Sequence, residues 1–191
     1  AVSCHRATRL VKPAGAAATL APVRESRHRR GTMDLELRDA REAAQDRAWL
    51  RNVYPLYLHD LSEFDGGYYQ LDDRGVWQPD HLPSWLGEDR DLPLILVADG
   101  RRVGFALVAR APSLWIAPGC DHRMSEFFVL RRERRQGIGA LAAHAVFDAH
   151  PGRWEVSELV RNERAIRFWR RVIGEQTGGR YEETADAEEL R

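Results

Sequence analysis

The run Arg134-Arg135-Gln136-Gly137-Ile138-Gly139-Ala140 directly follows an apolar stretch, Met124-Ser125-Glu126-Phe127-Phe128-Val129-Leu130. Together they read as a buried strand that passes through a basic, glycine-bearing turn into a helix. Such a turn is an anion cradle. The N–H groups of residues 135 to 140 point outward, Gly137 and Gly139 lack the Cβ atoms that would hold a ligand off the main chain, and the helix N-terminus adds partial positive charge. Arg134 and Arg135 can add full charges. A pyrophosphate held there would gain about 1.5–3 kcal/mol from each charge-assisted hydrogen bond. Glycine makes up about 7% of average sequences, so Gly-x-Gly alone says little and its surroundings decide.

A second reactive group lies on the same strand. Glu126 is a candidate general base, and strand parity puts it with Phe128 on one face while Phe127 and Val129 take the other. A carboxylate on a cleft-facing strand can take a proton from a nucleophile that must lose one to react. His59, Asp60 and Glu63, on an early helix, and Glu158, on a later strand, are the alternative bases or amine-recognition groups.

The elements that must position these groups follow from pattern and punctuation. Residues 34 to 38 begin a strand, and residues 39 to 51 carry strong helix formers behind an N-terminal Asp. A separate helix over 55 to 64 turns Tyr54, Leu56, Tyr57, Leu58 and Leu61 toward a core. Residues 65 to 91, with Gly66-Gly67 and several prolines, read as a substrate-facing loop. Leu94 to Ala98 and Val103 to Ala109, joined by Asp99-Gly100-Arg101-Arg102, form a hairpin. After the strand over 124 to 130 come a helix over 137 to 149, a strand over 153 to 160, a helix over 162 to 173 and a last strand over 175 to 183.

Length and composition narrow the class. The 191 residues allow one domain of about 150 residues with a sizeable core. Two cysteines, Cys4 and Cys120, offer neither a disulfide framework nor a metal motif, which fits a reducing, cytoplasmic setting. Residues 1 to 32 hold seven basic residues against one acid, so positions 33 to 191 carry 22 basic and 28 acidic groups. An acidic body argues against nucleic acid and suits a cationic amine. Residues 1 to 32 are expected to be an appended, disordered extension, an upstream read-through ahead of Met33, with an organellar transit peptide as the alternative.

From Arg134 the pattern is R-x-x-G-x-G/A, and 28 positions later Asn162-Glu163-Arg164-Ala165-Ile166-Arg167-Phe168-Trp169 reads N-x-x-A-x-x-F-W. Those motifs, in that order with a strand between them, resemble the GNAT superfamily of acyl-CoA-dependent N-acetyltransferases over residues 33 to 181. The resemblance implies an α/β fold in which helices flank a mixed central sheet with a splayed cofactor cleft, in a domain over 33 to 185 and a tail over 186 to 191. It implies acetyl-CoA as co-substrate, an unidentified primary-amine acceptor, direct attack in a ternary complex and a homodimer as a common state. It places the pyrophosphate on residues 134 to 140 and the pantetheine along the strand edge of residues 126 to 130. Val129 N–H then faces the thioester oxygen, and Asn162 contacts pantetheine or, equally, caps its helix. The usual acid, a tyrosine seven residues after the Asn, is here Trp169, a packing residue that supplies no proton, so Tyr181, water or departure as thiolate must serve. That substitution keeps alive a non-catalytic acyl-CoA-binding module.

Three other readings are weaker. Cys120-Asp121-His122 holds a thiol and an imidazole, but neighbours on a loop rarely meet as nucleophile and base. Arg131, Arg132, Arg134 and Arg135 lack the aromatic stripe of an RNA site. A dinucleotide-binding fold would need more than Gly137-x-Gly139 and a strand–helix–strand unit at its start. No membrane span and no metal site are expected.

Overall fold

The computed structural model describes residues 5–10, 26–30, 33–87 and 91–185. Among these residues are fourteen strands and helices and one short 3-10 turn. The strands are β1 (His5–Leu10), β2 (Ser26–Arg30), β3 (Met33–Asp39), β4 (Gln70–Leu71), β5 (Trp77–Gln78), β6 (Leu92–Ala98), β7 (Arg101–Arg110), β8 (His122–Val129), β9 (Trp154–Leu159) and β10 (Tyr181–Ala185). The helices are α1 (Ala44–Leu61), α2 (Leu82–Gly87), α3 (Ile138–Ala149) and α4 (Glu163–Thr177), with the 3-10 turn at Arg131–Glu133.

Eight strands form one sheet in the order β10-β1-β9-β8-β7-β6-β3-β2. Every neighbouring pair is antiparallel except β8 and β9, so the sheet is mixed, as expected. Alternation along the central strands divides the core between two faces. Leu94, Leu96, Ala106, Val108, Met124 and Val129 pack under α3 and α4, whereas Ile95, Val97, Phe105, Leu107 and Phe128 pack under α1 and α2.

Several sequence expectations change. β1 and β2 lie within the segment expected to be disordered, and both are strands of the main sheet; residues 1–4, 11–25 and 31–32 of that segment lie outside the described residues, as do 186–191. The separate helices expected over 39–51 and 55–64 are one helix, α1, that begins only at Ala44 and continues through Pro55. Proline there removes one ladder bond, while Leu50, Val53, Tyr54 and Leu58 keep a buried stripe on both sides of it. Asp39 starts no helix, because its carboxylate takes the backbone N–H and guanidinium of Arg41. The stretch 65–91 is not all loop but holds the β4–β5 ladder and α2. α4 runs four residues past its expected end because Val172, Ile173 and Thr177 stay buried on one face, and Gly178 then caps it in the left-handed conformation. The β6–β7 hairpin is as expected, tightened to a two-residue turn with positive φ at Asp99 and Gly100.

Candidate functional site

The opening in the sheet lies between β8 and β9. Among the described residues, their parallel ladder covers only His122–Met124 against Trp154–Val156, and beyond Met124 the strand β8 has β7 as its one ladder partner. A bulge at Ser125 interrupts the β7–β8 register, since Leu107 faces Glu126 while Val108 faces Met124. The Leu130 N–H donates to the Val103 carbonyl. By the alternation of an antiparallel ladder, the N–H and C=O of Phe127 and Val129 therefore turn away from β7, toward the open side. This is an unpaired strand edge. Val129, chosen from the motif for its N–H, sits on it.

At the end of this edge the chain makes the expected cradle. Arg135 and Gly137 both adopt positive φ, +65° and +83°, so their N–H groups fan to one side as in a nest. Among the described residues, the N–H groups of Arg135, Gln136, Gly137, Ile138, Gly139 and Ala140 find no acceptor; the next one, of Leu141, closes the first helical bond onto the Gly137 carbonyl. The Ile138 and Ala140 side chains are buried in the core while their amides stay in the cradle. A Cβ on Gly137 would meet nothing within 4 Å. These features fit an anionic ligand such as a pyrophosphate. Gly139 plays another part than expected: a Cβ there would stand 3.3 Å from Phe168, so its small size serves the contact of α3 with α4.

The arginines divide. Arg134 is no free phosphate ligand. Its Nε donates to the Val129 carbonyl at 2.7 Å and its Nη2 to Asp60 at 2.7 Å, with the guanidinium 5.3 Å from the centre of the Phe128 ring. Arg131 binds the same carboxylate at 2.6 Å. Burial pushes the Asp60 carboxyl up, but the hydrogen bonds from Arg131 and Arg134 outweigh it and hold the group below its ordinary range. Asp60, read from sequence as an alternative base, instead ties the C-terminal end of α1 to the rim of the cradle. Arg135 is exposed. The Gln136 side-chain Nε2 donates to the Arg132 carbonyl at 2.9 Å.

Glu126 projects from β8 toward α1, on the face of Phe105 and Phe128, and is half-buried. The Tyr57 hydroxyl donates to its Oε2. Burial pushes the Glu126 carboxyl up to about 7, against the opposing pull of the Tyr57 hydrogen bond and the charge of Arg123. Tyr54 and Tyr69 complete an aromatic surround, and the charge of Glu126 helps to raise the pKa of both after burial has done so. A carboxyl titrating near neutrality beside an unpaired strand edge is what a proton acceptor requires.

The remaining expectations divide between packing and recognition. The Asn162 Oδ1 accepts from the Ala165 N–H at 3.1 Å, so the cap is present at the mouth of α4. Trp169 is 5% exposed among Phe127, Phe147 and Phe168 and serves as packing, as expected. Tyr181 packs against the same core. His59 sets its ring edge-on to Trp77, and Glu158 is buried on β9. His122 is held against the Pro151 carbonyl, His150 and Trp154, and no three potential ligands cluster for a metal among the described residues. Among the same residues no helix is long and apolar enough to cross a membrane.

Sequence reasoning missed Tyr57, which was assigned only to the core face of its helix. The signal was a phenol, apolar in body and polar at its tip, on the face that meets the strand carrying Glu126.

Comparison with known proteins bears on this geometry. The model of the "Acetyltransferase (GNAT) family" matches residues 50–174. No curated protein matches the chain. A solved structure of an aminoglycoside acetyltransferase from an uncultured soil metagenomic sample, in complex with trehalose, is similar at 14% identity and a TM-score of 0.47, covering 73% of this chain and 86% of that one.

Proposed function

The chain belongs to the acetyltransferase (GNAT) family, whose members generally use acyl-CoA, and from that premise we propose that it transfers an acetyl group from acetyl-CoA to a primary amine by direct attack within a ternary complex. The observation that carries this reading is the meeting of an amide cradle, an unpaired strand edge and a carboxyl titrating near neutrality at one opening in the sheet. Acetyl-CoA, when bound, supplies an activated acyl carbon and a thiolate leaving group.

The chain's residues provide the rest. Amides of residues 135 to 140 and the Arg135 side chain would hold the pyrophosphate. The Phe127 and Val129 backbone would pair with the pantetheine amides as an added strand would, and Val129 N–H would stabilise negative charge on the acyl oxygen. In the transfer a nitrogen–carbon bond forms, the carbon–sulfur bond breaks, and the proton lost by the amine goes to a Glu126 oxygen. Tyr57 orients that carboxylate. Because Trp169 fills the position of the family's usual acid and is buried, no proton comes from there, and the sulfur leaves as thiolate or takes its proton from water. The cytoplasm is the compartment this reading assumes.

The same Trp169 supports one rival, an acyl-CoA-binding module without turnover. Incubating the full chain with acetyl-CoA and a panel of amines, with detection of free thiol, separates the two. Amine-dependent thiol release supports the transferase. Tight CoA binding without release from any amine supports the module.

A further inference from the structure

Arg123 stands beside Glu126 on the same face of the sheet, and a bulge puts it there. Three residues apart on a regular strand, the two would project to opposite faces. The extra residue at Ser125 corrects the parity. Leu107 faces Glu126 and Ala109 faces Arg123, and Leu107 and Ala109, two apart on β7, share the face that meets α1. Arg123 is therefore the next residue after Glu126 in one row, about 7 Å away along the sheet.

The Arg123 guanidinium is only partly employed. Its Nη1 donates to the Trp115 carbonyl in the connection from β7 to β8. Its Nε is buried and has no hydrogen-bond partner among the described residues, a costly state for a donor on a charged group. Among the same residues no carboxylate forms an ion pair with it. The acid opposite Arg123 on β9 is Glu155, whose Oε2 instead accepts the Ala117 N–H at 2.9 Å. The edge left over, Nε with Nη2, offers two parallel N–H bonds that match a carboxylate. Other arginines of this protein use that edge in this way: Arg38 sets it on Glu36 at 2.6 and 2.7 Å, and Arg74 sets it on Asp72 at 3.3 and 3.0 Å.

We infer that Arg123 determines acceptor specificity and that the acceptor is an α-amino acid, its carboxylate on the Nε–Nη2 edge of Arg123 and its amine at Glu126. The inference rests on the transferase reading above. In such a substrate one carbon separates amine from carboxylate, which suits a base and a guanidinium that are neighbours in one row. The product is an N-acetyl amino acid: the nitrogen–carbon bond forms, the carbon–sulfur bond of acetyl-CoA breaks, and the amine's proton goes to Glu126. An amine without a carboxylate leaves the buried donor unpaired, so the site rejects it.

The test uses the full chain, acetyl-CoA and free-thiol detection. The probes are L-amino acids with apolar, aromatic, acidic and basic side chains, each beside its amide, which keeps the amine and the side chain and lacks the carboxylate. Saturation-transfer NMR on the same pairs, with no acyl donor present, reads binding alone. Arg123→Lys keeps a positive charge near Glu126 and loses the fork. The expected result is thiol release from at least one amino acid with kcat/KM at least about tenfold above that of its amide. Arg123→Lys removes this preference, chiefly through KM, and leaves the pH–rate midpoint at about 7 and the affinity for acetyl-CoA in place. A merely structural role would change both members of each pair alike. Amides that match or exceed their acids, or a preference that survives Arg123→Lys, overturn the inference. Turnover of amides or of 2-phenylethylamine with no preference for acids leaves the transferase standing and removes the carboxylate site. Acid-selective binding with no thiol release from any amine removes the transferase and, with it, the acceptor role.

Discussion

Replacing Glu126 with Gln probes both the chemistry and the energetics of the site. Burial raises this carboxyl from its ordinary 4.5 to about 7, so the folded protein binds its proton more tightly than the unfolded chain does. The stabilisation this provides is complete below the ordinary value and is lost as pH rises through about 7. Its full size is about 3 kcal/mol, of which about 2.5 kcal/mol falls between pH 5 and pH 8. These are upper bounds, since Glu126 is only half-buried and water screens part of its charge. Glutamine is nearly isosteric, can still accept from Tyr57 and does not titrate. Urea unfolding of parent and variant at several pH values should therefore show curves that diverge as pH rises, with the variant gaining up to that amount by pH 8. In a free-thiol assay the parent's kcat should rise with pH through a midpoint near 7, and Glu126→Gln should lose that limb and about 10²- to 10⁴-fold in rate. Stability curves that stay parallel from pH 5 to pH 8, together with an unchanged pH–rate profile, would refute the reasoning.

Other perturbations follow from the same geometry. Tyr57→Phe removes the hydrogen bond that lowers the Glu126 pKa, so the pH–rate midpoint should move above about 7; an unmoved midpoint would show that Tyr57 does not touch the base. Gly137→Glu puts a carboxylate at a position with open space and a φ of +83°, and should weaken CoA binding at least about tenfold by calorimetry while costing about 1–2 kcal/mol of stability. Gly139→Glu should instead lower Tm sharply, because Phe168 occupies the space its side chain needs. Trp169→Tyr should lower Tm through lost packing with Phe127 and Phe147 and leave kcat without a rise. A faster enzyme would mean that the missing acid limits turnover.

The cradle was legible in sequence because its chemistry is written in contiguous residues: two glycines, the arginines and the apolar strand before them specify a local backbone path. The alternation of Glu126 and Phe128 against Phe127 and Val129 was equally readable, although only packing against Tyr57 and Phe105 fixes which face meets α1. What sequence hid depends on partners distant along the chain. Arg134 looked like a phosphate ligand until Asp60, 74 positions earlier, was found to hold it. The lack of a Cβ at Gly139 looked like room for a ligand, but that space belongs to Phe168, and it is the Gly139 N–H that stays in the cradle. Pro55 read as a helix boundary because local propensity cannot count the buried stripe that carries α1 through it. The strands at residues 5–10 and 26–30 had no apolar periodicity to announce them, being basic segments paired by backbone hydrogen bonds.

Calorimetric titration of the full chain with acetyl-CoA, alongside CoA and dephospho-CoA, tests most directly whether residues 135 to 140 and the β8 edge form an acyl-CoA site. Micromolar or tighter binding of acetyl-CoA and CoA, lost in Gly137→Glu, is the result expected from the unpaired amides of the cradle. An absence of heat with any of the three, in protein shown by circular dichroism to be folded, would contradict it.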